Sequence, residues 1–315
     1  MSVSSKHILS QGPVIKALLK TASITMYSKL AKNKNKTLSS LPGPVFTDIL
    51  QPRNSLLIKD YIQNTGGKHS WYRGKIPAHM FPQWGVPILA KTIQNLPYDI
   101  SRILNGGVRF EIKQDLIADK PLYLKARLLD IDDNGKRVIF KQELITGNSE
   151  NKEALICQVT AILPLKGKPK SFKADKNSKN EQNQKKLKSD NKSKKQLIPM
   201  NTHEIDRWNL TSRSGFDFAL LTGDFNPVHW IPVYARLFGF STSILHGFST
   251  MGRTIESLNH KIWIGKTSNL KTFESRFVRP LLLPNTVSVF VDYNGGVFVG
   301  HAKGGVPYLI GKYSI

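Results

Sequence analysis

The chain has 315 residues, enough for about two ordinary domains at roughly 150 residues each, and its 40% hydrophobic content excludes global disorder. The formal charge of +24 invites a nucleic-acid partner, but +7 of it falls in residues 1–47 and +9 between Lys166 and Lys195, leaving +8 for everything else. No basic folded face is implied and no nucleic acid is expected, while the single cysteine, Cys157, excludes an internal disulfide and a cysteine-rich zinc site and points to a reducing compartment.

Residues 1–47 form a basic extension with seven lysines and no acid. Its best apolar stretch, Val14 to Met26, is broken by Lys16 and Lys20, so it suits neither a secretory signal nor a membrane span of about 20 residues. A short amphipathic surface helix is expected there. The expected location is the cytoplasm; the lack of acids leaves a mitochondrial presequence as the alternative, against which stands the lack of arginine.

Residues 48–165 read as one half of the fold. A helix is predicted from Val86 to Leu104, interrupted by Pro97 and ended by Gly106-Gly107. Four strands follow, at Val108 to Leu116, Leu122 to Ile131, Arg137 to Thr146 and Ala154 to Leu163, with Asn134-Gly135 as a hairpin turn. Residues 166–197, rich in Lys, Asn, Ser and Gln, bury too little to order themselves and are expected to be a disordered linker.

Residues 198–315 repeat the order of elements. Helical runs are predicted at Tyr234 to Phe238 and Ile244 to Leu258. Strands are predicted at Leu270 to Arg279, Thr286 to Tyr293, Val297 to Lys303 and Val306 to Lys312. Asn294-Gly295-Gly296 and Gly304-Gly305 mark turns. A helix followed by an antiparallel meander, twice, makes the fold class α+β.

Chemistry concentrates in Leu221-Thr-Gly-Asp-Phe-Asn-Pro-Val-His229 and in Ile244-Leu-His-Gly247. Asp224, Asn226 and His229 fall around Pro227, which forbids a regular helix and puts them on an irregular loop. A carboxylate and an imidazole that reach one water can share its proton. His246-Gly247 opens a helix whose first N–H groups lack intrahelical partners and can bind a developing oxyanion.

This pattern, Gly-Asp-x-Asn-Pro-x-His, then Ala-x-x-x-Gly-Phe, then Ile-Leu-His-Gly, resembles the R-specific enoyl-CoA hydratases, the MaoC-like dehydratase family. The likeness is tight over about 30 residues and loose over the C-terminal half. Arg102 to Glu111 looks like the matching place in the N-terminal half of double hot-dog members, a half that lacks the signature. The resemblance implies a double hot-dog fold, with two helices on the concave side of one continuous sheet and room for the acyl chain in the N-terminal half. It implies reversible hydration of trans-2-enoyl thioesters of coenzyme A or acyl carrier protein to R-3-hydroxyacyl thioesters. Asp224 and His229 would activate the water, Asn226 would position dyad or water, and the Gly247 N–H would polarise the thioester carbonyl. No cofactor and no metal are implied, and a homodimer is left open. Family members often carry Asp where Ile231 stands here; that aspartate would suit a helix N-cap.

Other readings compete at single positions. A thioesterase on the same fold, or a non-catalytic acyl-thioester-binding protein, are the alternatives for the whole. His246 reads as a packing and capping residue. Ser249 and Thr250 lack the glycine pattern of a nucleophile elbow. Arg276, Arg279 and Lys303 could meet coenzyme A phosphates, although solvated strand-edge charges are the plainer account. Trp71, Trp84 and Trp263 read as core or interface aromatics.

Overall fold

In a computed structural model, residues 3–10, 40–100, 103–165 and 196–315 are described. The lysine-rich stretch 166–195 and the run Val14 to Met26, with the presequence and surface-helix readings attached to it, lie outside them. Within the extension a short helix, α1 (His7–Ser10), is tied down by a 2.7 Å hydrogen bond between His7 Nε2 and Asp60.

The N-terminal half runs β1 (Phe46–Leu50), α2 (Ser55–Asn64), β2 (Lys75–Ile76), α3 (Pro82–Ile93), β3 (Leu104–Ile112), β4 (Leu116–Ile117), β5 (Leu122–Asp133), β6 (Arg137–Gly147) and β7 (Leu155–Pro164). The C-terminal half runs β8 (His203–Leu210), α4 (Ser214–Thr222), α5 (Pro232–Leu237), α6 (Gly247–Lys261), β9 (Thr272–Phe277), β10 (Asn285–Val291), β11 (Gly296–Gly300) and β12 (Leu309–Ser314). Ten strands form one sheet in the order β1-β5-β6-β7-β3-β9-β12-β11-β10-β8, antiparallel at every pairing.

Each half follows one rule. Its first strand takes the outer edge, a helix follows, and the next long strand crosses to the centre. Three meander strands then fill the space between. The halves meet at β3 and β9, in register from Gly107 opposite Arg276 to Glu111 opposite Thr272. This is the double hot-dog architecture that the resemblance implies.

The strands show the period of two that a half-buried sheet demands. In β5 and β6, Leu122, Leu124, Ala126, Val138, Phe140 and Leu144 point inward and are buried. Gln142 shares that inner face because its amide donates to Leu89 O (2.8 Å) and Thr92 Oγ1 (2.7 Å) of α3. Trp84 and Trp263 are buried and Trp71 is half-buried, as core aromatics should be. Cys157 is a buried free thiol whose pKa burial raises well above its ordinary value.

Two expectations for the N-terminal half need correction. The central helix is Pro82–Ile93, beginning four residues before Val86 and stopping short of Pro97. Gly106-Gly107 do not end a helix but lie inside β3, which starts at Leu104 and shifts register between Asn105 and Gly107. A Cβ on Gly107 would fall 2.4 Å from Ser275 O across the seam, so the glycine is there for close approach of two strands. The Asn134-Gly135 turn is as expected: Gly135 has φ +76° and Asn134 Oδ1 accepts from the N–H groups of Lys136 and Arg137.

The two central helices also share a repeat. His79-Met-Phe81 with Gly85 precedes and opens α3, as His246-Gly-Phe248 with Gly252 precedes and opens α6. Phe81 and Phe248 meet edge to face, 5.3 Å between centroids, where the halves join. His79 is fully enclosed and donates through Nε2 to Glu256 of α6 at 3.0 Å. Glu256 also accepts from Tyr72 Oη (2.7 Å) and Asn259 Nδ2 (3.0 Å), while Tyr61 Oη donates to His79 O (2.8 Å). A carboxylate this deeply buried is tolerable only with its lone pairs so occupied.

Candidate functional site

Helix α4 ends at Gly223, whose φ of +79° lies where only glycine is unstrained, and the chain turns out of the helix there. Asp224 is the next residue. Pro227 then starts a single 3₁₀ turn, Pro227–His229, capped by Asn226 Oδ1 accepting from Val228 N–H at 3.2 Å. The exposed Asn226 thereby holds the turn that carries His229, and its own N–H lies 3.3 Å from Asp224 Oδ1. Ile231 occupies the N-cap of α5 and supplies no side-chain cap, with Pro232 at the first helical position.

The structure brings Asp224, His229 and His246 together: one ligand atom from each lies within 4.8 Å of the others. His229 Nδ1–H donates to Ile244 O at 2.9 Å, which leaves Nε2 with its lone pair. His246 Nε2–H donates to the backbone oxygen of Asp224 at 3.0 Å and sits 3.9 Å from its carboxylate. The two imidazoles stack, with centroids 3.5 Å apart.

Burial acts on both rings. Desolvation lowers the pKa of His229, opposed by the Asp224 carboxylate and by the Ile244 carbonyl. His246 is pushed down to about 3, first by desolvation and then by His229. Two neutral imidazoles beside one carboxylate result, which is what a proton-transfer site near neutral pH needs.

His246 stands at the N-cap of α6, but its side chain does not cap that helix; it reaches across to Asp224. The capping half of its expected role is therefore replaced by a bridging one, while its packing against Phe218, 5.0 Å between centroids, stands. Gly247 is the first residue of α6, so its N–H has no intrahelical partner. A Cβ there would fall 2.8–3.0 Å from the Phe277 ring, so the residue must be small for β9 to lie across the helix start.

The remaining candidates separate. Ser249 is fully buried and Thr250 Oγ1 donates back to His246 O (3.3 Å), which suits helix packing rather than nucleophilic attack. Arg279 is engaged, donating to Val306 O at 2.6 Å and lying 3.9 Å over the Tyr308 ring. Lys303 is exposed next to the Gly304 turn, and Arg276 is exposed on β9. Sequence reasoning missed the Ile244 carbonyl that sets the tautomer of His229, and Phe277; neither carries a chemical signal in its residue type. The Asp224, His229 and His246 trio is also the group, among the described residues, that could hold a metal ion.

Comparisons with known proteins bear on the family and the fold. The family described as MaoC like domain matches residues 195–303. Enoyl-CoA hydratase 2, peroxisomal, of Arabidopsis thaliana is 29% identical over 189 residues, 58% of this chain and 57% of its own length. A 3-hydroxyacyl-thioester dehydratase X of Mycobacterium tuberculosis is 33% identical over 79 residues, 25% of this chain and 26% of that protein. The chain thus spans little more than half the length of one of these relatives and about a quarter of the other.

Among solved structures, HtdX of Mycobacterium tuberculosis superposes with a TM-score of 0.64 at 16% identity, covering 86% of this chain and 100% of that one. A MaoC-like dehydratase from Phytophthora capsici gives 0.62 at 18%, covering 87% and 96%. A Mycobacterium tuberculosis protein described as having a double hotdog fold gives 0.56 at 12%, covering 88% and 96%. Residues 195–303 thus resemble the MaoC like domain, and the sheet order is that of the double hot-dog fold.

Proposed function

We propose that the protein is a hydro-lyase that interconverts trans-2-enoyl and R-3-hydroxyacyl thioesters in fatty-acid metabolism. The observation that carries this reading is the placement of Asp224 and a tautomer-fixed His229 beside the first turn of α6. In hydration, the oxygen of water adds to C3 and a proton adds to C2. Asp224 and His229 divide the proton work: a proton leaves the attacking water and one is delivered to C2. Negative charge grows on the thioester oxygen as C2 gains enolate character, and the Gly247 N–H at the helix start stabilises it. His246, held to the Asp224 backbone, keeps the loop at that distance. Asn226 positions the dyad by fixing the turn beneath His229.

The curated relatives are named for enoyl-CoA hydration and 3-hydroxyacyl-thioester dehydration, which supports the same chemistry here. The chemistry needs no metal and no cofactor. In this division of labour residues 198–315 supply the catalytic groups. Residues 48–165 form the half without a dyad, and 166–197 join them. A reducing compartment, the cytoplasm, fits the unpaired Cys157, and the relative named peroxisomal makes the peroxisome the second candidate. Among the described residues no helix is long and apolar enough to cross a membrane.

The test follows the enoyl-thioester absorbance of crotonyl-CoA and decenoyl-CoA on adding the purified protein. Asp224→Asn and His229→Gln should each lower kcat by at least ~10², the scale of a lost acid–base group, with an unchanged circular dichroism spectrum. A near-wild-type rate in either variant would sink the assignment. Coupling the product to R- and S-specific dehydrogenases reads the stereochemistry, and signal from the S-specific enzyme alone would contradict the proposal.

A further inference from the structure

The outer face of the sheet, opposite the helices, carries a groove of about 510 Å³ along the β3–β9 seam. Arg109, Arg137 and Arg276 line it, together with Gln158, Thr160 and one acid, Glu274. All three arginines are exposed, and they come from three different strands, β3, β6 and β9. Arg109 lies opposite Glu274 in the ladder, and the Arg276 guanidinium donates to Gln196. The ionisable lining sums to two positive charges in excess.

The groove exists because of the glycine pair in β3. Gly106 and Gly107 form part of its floor, and a Cβ on Gly106 would meet the Ile162 side chain at 2.7 Å. Phe277 and Val278 also line it. Phe277 is the residue whose ring lies against Gly247, so the groove reaches the strand that covers the candidate oxyanion donor. The rims are the points at which the lysine-rich stretch leaves and rejoins the sheet: Leu165 N–H donates to Lys136 O at 2.9 Å, beside Arg137, and Gln196 meets Arg276.

Guanidinium forks from separate strands converging on one open concavity suit a ligand with several phosphate oxygens rather than a single carboxylate. We infer that this groove binds the phosphate groups of a coenzyme A thioester, and that Arg109, Arg137 and Arg276 set the preference for coenzyme A over shorter carriers. The inference rests on the hydro-lyase reading for its choice of ligand, but not for its geometry. A pantetheine arm would connect the groove to the reacting carbons around the end of β9, where Phe277 and Val278 stand. The acyl group would then lie on the helix side of the sheet and the phosphates on the outer side.

The experiment compares wild type with the triple variant Arg109→Gln, Arg137→Gln, Arg276→Gln. Both are assayed with crotonyl-CoA and with crotonyl-pantetheine, which lacks the diphosphate and the nucleotide. The ratio of the two KM values should rise at least about tenfold in the variant, as expected for lost charge-assisted hydrogen bonds. That rise should shrink at high salt. An unchanged ratio would overturn the inference, as would an equal rise in both KM values. A change confined to acyl-carrier-protein substrates would also overturn it by assigning the groove to a carrier protein.

Calorimetric titration with adenosine 3′,5′-bisphosphate supplies a readout independent of turnover. Binding by wild type that the triple variant loses supports the groove even where neither crotonyl thioester is hydrated, an outcome that would instead fell the hydro-lyase reading. No binding to wild type would overturn the inference.

Discussion

His229 and His246 stack face to face yet hold their protons differently, and the difference is set by which backbone carbonyl each meets. Ile244 O takes the Nδ1 proton of His229 and leaves its Nε2 basic; Asp224 O takes the Nε2 proton of His246. Because burial lowers the His229 pKa below 6.5, its neutral form persists to lower pH than a free imidazole. The acid limb of kcat/KM should therefore lie below about pH 6.5. A pH–rate profile with that limb above the ordinary histidine value would contradict the assignment. His246 makes a second prediction, about stability. The unfolded chain protonates it near 6.5 and the folded chain only near 3, so between these values the unfolded state holds more protons. Stability must then fall with pH through that window, at about 1.4 kcal/mol per unit. Between pH 6.5 and about 5, roughly 2 kcal/mol of the loss belongs to this ring. Urea midpoints for His246→Gln should show a correspondingly flatter pH dependence, and an unchanged slope would disprove the account.

At the scale of elements, α6 carries both the candidate oxyanion donor and the buried clasp. Its first residue must be small: Gly247→Ala puts a Cβ 2.8–3.0 Å from the Phe277 ring and must push helix and strand apart. Displacement of this kind near the reacting atoms costs up to ~10² in rate, so kcat should drop between about tenfold and a hundredfold. Gly247→Ala with Phe277→Leu should recover part of it, and no recovery would place the fault elsewhere. Midway along, Glu256→Leu leaves His79, Tyr72 and Asn259 without their shared acceptor, which should cost about 3–5 kcal/mol in chemical denaturation. Glu256→Gln, which keeps an acceptor oxygen, should cost less, and equal losses would argue against the clasp.

How much of these elements the sequence disclosed depends on how local their causes are. The irregular loop from Asp224 to His229 was legible because Gly223, Pro227 and the polar residues between them fix each other within seven positions. Strands β5 to β7 were legible from strict alternation. Helix α4 was not, because SGFDFALLT is buried almost all round and shows no polar face. The glycine pair in β3 read as a helix stop because its reason, the Ser275 carbonyl, comes from a strand more than 160 residues later. His79 read as nothing at all, since its partner Glu256 is 177 residues away. The repeat His-x-Phe-x-x-x-Gly that pairs it with His246 was visible in the letters, and only the shared place at the head of each central helix gives it meaning.

On the scale of the whole molecule, the two halves are one folding unit because the core does not stop at the seam. Strands β3 and β9 pair over five positions, Phe110 stacks on Phe273 at 5.9 Å, and Phe81 meets Phe248. One cluster of buried apolar side chains runs from Leu57 in α2 to Leu309 in β12. Separating the halves would bare these faces and break the His79–Glu256 hydrogen bond, leaving its polar groups in an apolar surface. The covalent connection through residues 166–195 is accordingly not what holds them together. Residues 1–165 and 196–315, coexpressed as two chains, should copurify as one species, unfold in a single cooperative transition and keep the hydration rate of the intact protein to within about threefold. Expressed singly, the C-terminal piece should aggregate or bind a hydrophobic dye although it carries Asp224, His229 and Gly247. If that piece instead remains soluble, monomeric and active alone, the N-terminal half is dispensable for the site and the seam is an interface of convenience.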